Sequence, residues 1–465
     1  MDFGHSLIEG HSFLPGPEAR TNTLIVGGGV SGMTAAYQLR NNDFILCELS
    51  NQLGGTSTAF QVNGSYYSQG AHYDLGYPAN YGAEGINLLK DLNLIEYNEF
   101  KQLWDFTDRQ FMINKNVESR SYENGSIRED ILRDSDTKKR FISLVQQYRN
   151  DMIMPTRLIK PEYHFLNDIS FSEFLNTALD PGTSFLRGMD YHMRDDYGGS
   201  SDRVSALAGI HYFQCRPYYI KPIEVFSPPQ GNFYFIQKLT HEIPPERIKT
   251  GQLVYHIRRT GDKFRVDVLD RNEKKILHYL ARNIIYAGNK HTLKYTFPQD
   301  YPLFEKLSYA PWAVMNILLK EDLPGDRFWQ NEILSNHPSL IGFVDSGAQY
   351  TEVGAPPVLT AYFCLDPADR AQLAEIDKNK EVFCNQVIEL ISEYFGLKLE
   401  NFIREIYIRI YGHAMPIPVP GYLLKDQNDS RSFENFVYAG VDNHRLPLFF
   451  EAVDSGIQAA RMIHS

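Results

Sequence analysis

Three glycines and one glutamate carry the most specific chemistry in this 465-residue chain. Gly27, Gly29 and Gly32 lie in "LIVGGGVSGMTAAYQL" at the spacing G-x-G-x-x-G, and Glu48 follows further along. A bend with so little side chain suits either a tight strand-to-helix turn or a cradle for phosphate. In the second reading Gly27 takes the turn, Gly29 leaves the backbone bare for a pyrophosphate, and Gly32 lets helix and strand pack closely. Val30 and Ser31 lie in the same bend and are counted among the cofactor-binding residues, and the N-terminal amides and positive dipole end of the helix that follows meet the anion. A carboxylate at Glu48 accepts hydrogen bonds from both hydroxyls of a ribose and repels a 2′-phosphate; its plainer role is a solvated strand end. The glycines alone are a weak signal, and the added carboxylate favours a dinucleotide.

These residues need a strand–helix–strand frame. Thr23–Val26 and Phe44–Cys47 read as short buried strands, and Met33–Arg40 as a helix with Ala35, Ala36 and Leu39 inward. Past Glu48 and Leu49 comes "NQLGGTSTAF", where Gly54, Gly55 and Thr56 form a second bare-backbone loop. Such a loop suits a cofactor longer than a nicotinamide dinucleotide, whose pyrophosphate and ribityl chain continue past the first site.

The segment from Leu24 to Phe60 resembles the N-terminal signature of the FAD-dependent amine oxidase, protoporphyrinogen oxidase and phytoene desaturase superfamily. That resemblance implies a Rossmann-like α/β FAD-binding domain with a parallel sheet, carrying an inserted α+β substrate domain, and it continues down the chain. "YSQGAHYDLG" (Tyr67–Gly76) is similar to the family's segment beside the isoalloxazine, which would place Gly70, Ala71 and His72 at the flavin's reactive edge. "TGQLVYHIRRTGDKFRVDVLD" alternates like a hairpin turning at Thr260–Lys263, and in the family such a pair offers one valine's backbone, here Val254, to the adenine. "ARNIIYAGN" resembles the returning strand that ends beside the cofactor, at Ala287. "NFVYAGVDNHRLPLFFEAVDSGIQAARMI" resembles the closing strand, loop and helix. The family pattern directs Gly440 and Asp442 at the pyrophosphate–ribityl region, and aims the amides of a helix starting near Phe450 at the flavin's C2 carbonyl and N1.

If these pieces share one cofactor, the FAD domain comprises residues 1–95, 222–300 and 420–465, and a substrate domain comprises 96–221 and 301–419. The first insertion reads as helical, with Ile131, Phe141, Leu144, Tyr148 and Met152 at approximate helical spacing. The second contains the strand-like "YAPWAVMNILLKED" and an amphipathic helix stopped at Gly396. "VFSPPQGNFYFIQKL" reads as a loop and helix crossing between the domains.

Bulk properties fit this picture. With 43% hydrophobic and 22% charged residues the chain is globular, and its length favours two domains. A net charge of −11 argues against nucleic acid and anionic membranes. No apolar run reaches the roughly 18 residues of a membrane span. Cys47, Cys215, Cys364 and Cys384 are scattered, so neither a disulfide framework nor a metal site is expected. The chain as given begins with no secretion signal; a cytoplasmic location is the default, and export would follow if the start has been trimmed.

Lining candidates for hydride transfer are His72 and Tyr73, Tyr411 and His413 ahead of "MPIPVPG", and Phe449 with Phe450. His72, Tyr411 and Phe449 are the candidate catalytic residues. His72 suits a protonation role or a structural bond to a backbone carbonyl, and the others meet substrate or serve as core. Asp195 and Asp196, before a Gly-Gly-Ser stretch, bind a cationic substrate or act as caps and turn formers, the latter favoured. Three departures from the amine-oxidase pattern stand out. Asn316 falls where the family usually has a lysine, and Met415 and Pro416 occupy one wall of the usual aromatic pair. No cysteine follows Cys384, so FAD is expected to be held noncovalently. The leading expectation is oxidation of a C–N or C–C bond of a small molecule, with oxygen or another acceptor taking the electrons. A non-redox flavin isomerase or mutase, and a catalytically silent FAD-binding partner protein, are the alternatives.

Overall fold

The computed structural model describes residues 14–72, 82–113, 119–123, 125–128, 131–132, 135–215, 225–334 and 339–464. It opens with strand β1 (Leu14–Val26), helix α1 (Val30–Gln38) and strand β2 (Phe44–Cys47). The hairpin β3 (Ala59–Val62) and β4 (Ser65–Ser68) turns at Asn63 and Gly64, both at positive φ, a conformation Asn-Gly tolerates. Two further strand pairs follow, β5 (Ile95–Asn98) with β6 (Leu103–Phe106) and β7 (Ser119–Glu123) with β8 (Ser126–Arg128). Helices α2 (Thr183–Tyr197) and α3 (Phe233–His241) lead to β9 (Ile248–Lys249), β10 (Gln252–Thr260), β11 (Lys263–Asp270) and β12 (Lys275–Tyr286). The last third holds β13 (Tyr309–Leu319), β14 (Gln330–Leu334), β15 (Leu340–Asp345), β16 (Val358–Cys364), α4 (Lys380–Phe395), β17 (Ile403–Pro416), β18 (Phe436–Tyr438) and α5 (Phe449–His464).

One sheet has the order β10-β11-β12-β1-β2-β9, with β18 also paired to β12. β1 runs parallel to β12 and β2, and the pairs β2–β9 and β12–β18 are parallel too, whereas β10–β11–β12 is an antiparallel meander. The apolar run at the end of β1 is buried on both faces, as a central parallel strand must be: Leu24 and Ile25 are fully buried. β1 starts at Leu14, well before the expected Thr23, because its ladder with β12 continues back along polar residues. α1 likewise starts at Val30 rather than Met33 and stops at Gln38 rather than Arg40.

The second sheet has the order β17-β13-β16-β15-β14-β7-β8. Every residue of β13 is buried. Ala313, Met315 and Ile317 pack with Phe383, Val387 and Ile391 of α4, whereas Trp312 and Val314 belong to a different core. α4 ends at Gly396 in the left-handed region, where a residue without Cβ is unstrained. The architecture is therefore α/β, with parallel-containing sheets. The periodic residues Ile131–Met152 are only partly helical: the helix covers Asp136–Gln146, buries Phe141 and Val145, and leaves Ile131 and Met152 outside it.

Candidate functional site

The site is built outward from the end of β1. Gly27 takes φ +100, and a Cβ there would stand 3.0 Å from the Ala287 carbonyl. A Cβ on Gly32 would stand only 1.9 Å from the Gly27 oxygen, so glycine is required for α1 to sit this close to β1. Gly29, the residue before α1, differs: nothing lies within 4 Å of its Cβ position. No acidic residue occupies the first turn of α1, so the positive dipole end at Val30 and Ser31 is not neutralised locally. The Ser31 hydroxyl donates to Ala452 O (2.8 Å) and thereby ties α1 to α5.

Glu48, at the end of β2, is 9% exposed. Its Oε2 accepts from the Gly28 amide (2.6 Å) and its Oε1 from the Ser50 amide (2.7 Å), leaving each oxygen further lone pairs. Burial pushes this carboxyl above its ordinary range, and the two amides partly offset the push. The second glycine loop stacks on the first: Gly54 N donates to Gly28 O (2.8 Å), and a Cβ on Gly55 would lie 3.3 Å from Gly29 Cα. Leu49 is half-exposed and Thr56 exposed at the rim of these turns. Gln252 N donates to Glu48 O, which brings β10 and its buried Val254 to the same strand end.

Thr56 leads to the third segment. Ala71 N donates to Thr56 O (2.8 Å), and a Cβ on Gly70 would lie 2.0 Å from that oxygen. From above, Gly231 turns at φ +58 over His72, and Asn232 N donates to Ala71 O. The second sheet closes the other side. Tyr362 donates to Gly70 O (3.0 Å) and Tyr411 to Gln69 O (2.7 Å). The buried His72 ring lies 4.5 Å from Tyr362 and 6.0 Å from Trp329. Burial raises the Tyr411 hydroxyl to about 12, and burial raises Tyr362 too, with smaller contributions from Tyr411 and the Asp195 charge. Asn316 is saturated by protein groups: its amide donates to Ser68 O and Thr360 Oγ1 (2.9 Å each) and its oxygen accepts from Gln69 (3.2 Å). It anchors the strand that delivers Gly70–His72. Tyr73 and Gly76 lie outside the described residues.

Other expected site residues have protein partners. Lys290 Nζ (2.8 Å), Lys290 N (2.8 Å) and Tyr309 Oη (2.9 Å) all donate to the Asp442 carboxylate, and Lys290 is fully buried. Lys290 Nζ also donates to Ala439 O and Gly288 O, joining the ends of β12 and β18 beside Ala287 and Gly440. Burial holds the Lys290 ammonium below its usual value, and Asp442 opposes that shift. Asp195 and Asp196 are buried in the last turn of α2 and are not loop turn formers. Phe449 and Phe450 start α5, and Phe449 packs on Phe235 (4.7 Å) and Phe450 (5.0 Å) in the core beneath the glycine turns. Sequence reasoning missed Lys290, Tyr362 and Trp329. It also missed His291, which stacks on His413 at 3.7 Å while Arg370 donates to His413 Nε2 (3.1 Å). An isolated Lys or Tyr in a strand gives no local signal when its partner is remote in the chain. Among the described residues no group of three or more His, Cys, Asp or Glu could hold a metal ion. No helix among them is long and apolar enough to cross a membrane.

Two stacked bare turns, a helix start open to an anion, a ribose-type carboxylate and the aromatic rings around His72 fit a flavin nucleotide. The family model for flavin-containing amine oxidoreductases matches residues 30–464. The chain belongs to that family and is a flavin-dependent oxidoreductase. Solved structures agree on the fold. A protein from Exiguobacterium sp. provisionally named a protoporphyrinogen oxidase aligns with TM-score 0.68 and 15% identity over 96% of this chain and 98% of its own. Putrescine oxidase bound to putrescine gives TM-score 0.68 and 15% identity over 96% and 100%. Cyclohexylamine oxidase from Brevibacterium oxydans gives 0.64 and 12% over 95% and 98%. No match to a curated protein was found.

Proposed function

We propose that the chain binds FAD noncovalently and oxidises a C–N or C–C bond of a small molecule, within a two-domain arrangement in which residues 1–95, 222–300 and 420–465 hold the cofactor. The observation that carries this reading is the stacking of the Gly29 and Gly55 turns beside Glu48, which continues without a break into Gly70–His72. When bound, the flavin supplies the two-electron acceptor for a hydride from the substrate carbon. The chain's own groups do the rest. Gly27, Gly29 and the α1 amides receive the pyrophosphate, Glu48 the ribose, and Val254 the adenine. Tyr362, Tyr411, Trp329 and His72 wall the reacting end and exclude water from it. His72 is placed to hold or move a proton there, and the charge of the buried Asp195 on α2, which acts on Tyr362, suits a basic group on the substrate. Asn316 is committed to holding the 68–69 backbone, which supports the reading that it does not position a water as a lysine would. Oxygen or a second acceptor takes the electrons.

Purified protein is expected to be yellow, with an absorption band at roughly 450 nm that is released with FAD on denaturation. Anaerobic addition of polyamines, amino acids, and cyclic or polyene compounds should bleach that band with one class. A colourless protein that takes up no FAD overturns the reading. Turnover without net bleaching or acceptor reduction would move it to the isomerase alternative.

A further inference from the structure

We infer that Arg409, on the second sheet, is the counter-charge for the cofactor's pyrophosphate, so that both sheets clasp one nucleotide. This rests on the FAD reading above and adds a binding residue that the glycine bend does not contain. A pyrophosphate brings two negative charges, and amides with a helix dipole supply only partial ones. Between Leu24 and Phe60 the single cationic side chain is Arg40. Its guanidinium donates to Tyr37 O (2.9 Å) and lies 4.1 Å over the Tyr37 ring, at the far end of α1. Lys290 is consumed by Asp442 and two carbonyls. Arg40 and Lys290 are thus spent elsewhere, and Lys249, opposite Cys47 on β9, stands beside Glu48; the glycine bend itself contains no cation.

β17 supplies one. Its alternation sends Ile406, Ile408 and Ile410 into the core under α4 and leaves Tyr407, Arg409, Tyr411 and His413 on the opposite face. That face runs along the groove. Tyr407 meets Phe60 (5.1 Å), Tyr411 bonds Gln69 O, and the His413 carbonyl accepts from Asn289 beyond the end of β12. Arg409 stands between the first two contacts, its guanidinium 5.3 Å from the Tyr411 ring, with no ion pair to any described acid. Its charge is felt across the groove at Glu48, where it adds to the offset that the Ser50 and Gly28 amides make against burial. A planar, permanently charged fork at that point matches two phosphate oxygens, whereas a lone arginine on an exposed strand face would merely keep β17 solvated.

The test compares ADP with adenosine on the full-length chain freed of flavin, by calorimetric titration, for the native protein and for R409Q, R409M and R409K. Both ligands meet Glu48, and only ADP carries the diphosphate. R409Q and R409M should each weaken ADP by about tenfold or more and leave adenosine within about twofold, as expected for loss of a charge-assisted contact. R409K should fall between. R409M keeps the side-chain stem over Tyr411, so a fold defect in R409Q does not decide the matter. Unchanged ADP affinity, or equal losses for ADP and adenosine, overturns the role of Arg409 while leaving FAD binding by the native protein intact. Failure of the native protein to bind FAD or ADP instead overturns the cofactor reading itself.

Discussion

At the residue scale, Gly29 and Gly32 separate what the bend does for folding from what it does for a ligand. A methyl group at Gly29 meets nothing, and one at Gly32 meets the Gly27 oxygen. G29A should therefore melt like the native apoprotein yet bind FAD about tenfold or more weakly, because its methyl group stands where phosphate oxygens approach. G32A should lose several degrees of melting temperature and its flavin together. Melting curves and flavin content on the same samples check both; a G29A protein that retains FAD would leave the bend as an ordinary turn. These glycines and Glu48 were legible because their spacing is local and each geometric demand falls on one short stretch. Lys290 was not, since its meaning lies in Asp442, a partner separated by most of a domain, and Tyr362 and Trp329 join His72 only after the second sheet is assembled.

At the element scale, the ends of β12 and β17 meet through the stacked rings of His291 and His413. Burial depresses His291 to about 4, and burial with the neighbouring His291 and Arg370 charges depresses His413 to about 3. A histidine with a lowered folded pKa binds protons more readily when unfolded, so its contribution is fully present above about 6.5 and fades as pH falls toward these values. The apoprotein's melting temperature should accordingly fall between pH 6.5 and 4. The double variant H291Q/H413Q should show a shallower fall. The buried His211, also lowered to about 4, keeps part of the slope, so the difference between proteins is the measurement. An identical slope in both would remove this junction from the acid response. Element types were readable along most of the chain, as with β13, α4 and the β10–β11 hairpin. Boundaries slipped where tertiary pairing overrode local pattern, as in the polar start of β1, and in Asp195 and Asp196, which look like loop residues until α2 buries them.

At the scale of the whole molecule, Lys290 and Asp442 fasten β12, β18 and, through Tyr309, β13 of the second sheet. K290M should cost about 3–5 kcal/mol by stranding a buried carboxylate, read as a lower denaturation midpoint, and K290M/D442L should recover part of it. A K290M protein as stable as the native one would reduce the pair to decoration. The chain crosses between its two sheets more than once, which no local pattern announces and which only the family resemblance suggested. The first sheet takes β18 from residues 436–438, and α5 covers α1 so closely that a Cβ on Gly456 would lie 2.4 Å from Ser31 O. A nascent polypeptide that has not yet delivered residues 436–464 thus lacks both a strand and the helix that covers its nucleotide cradle. Cofactor loading must then await that stretch, and products terminated before it should be left unliganded for proteases to clear.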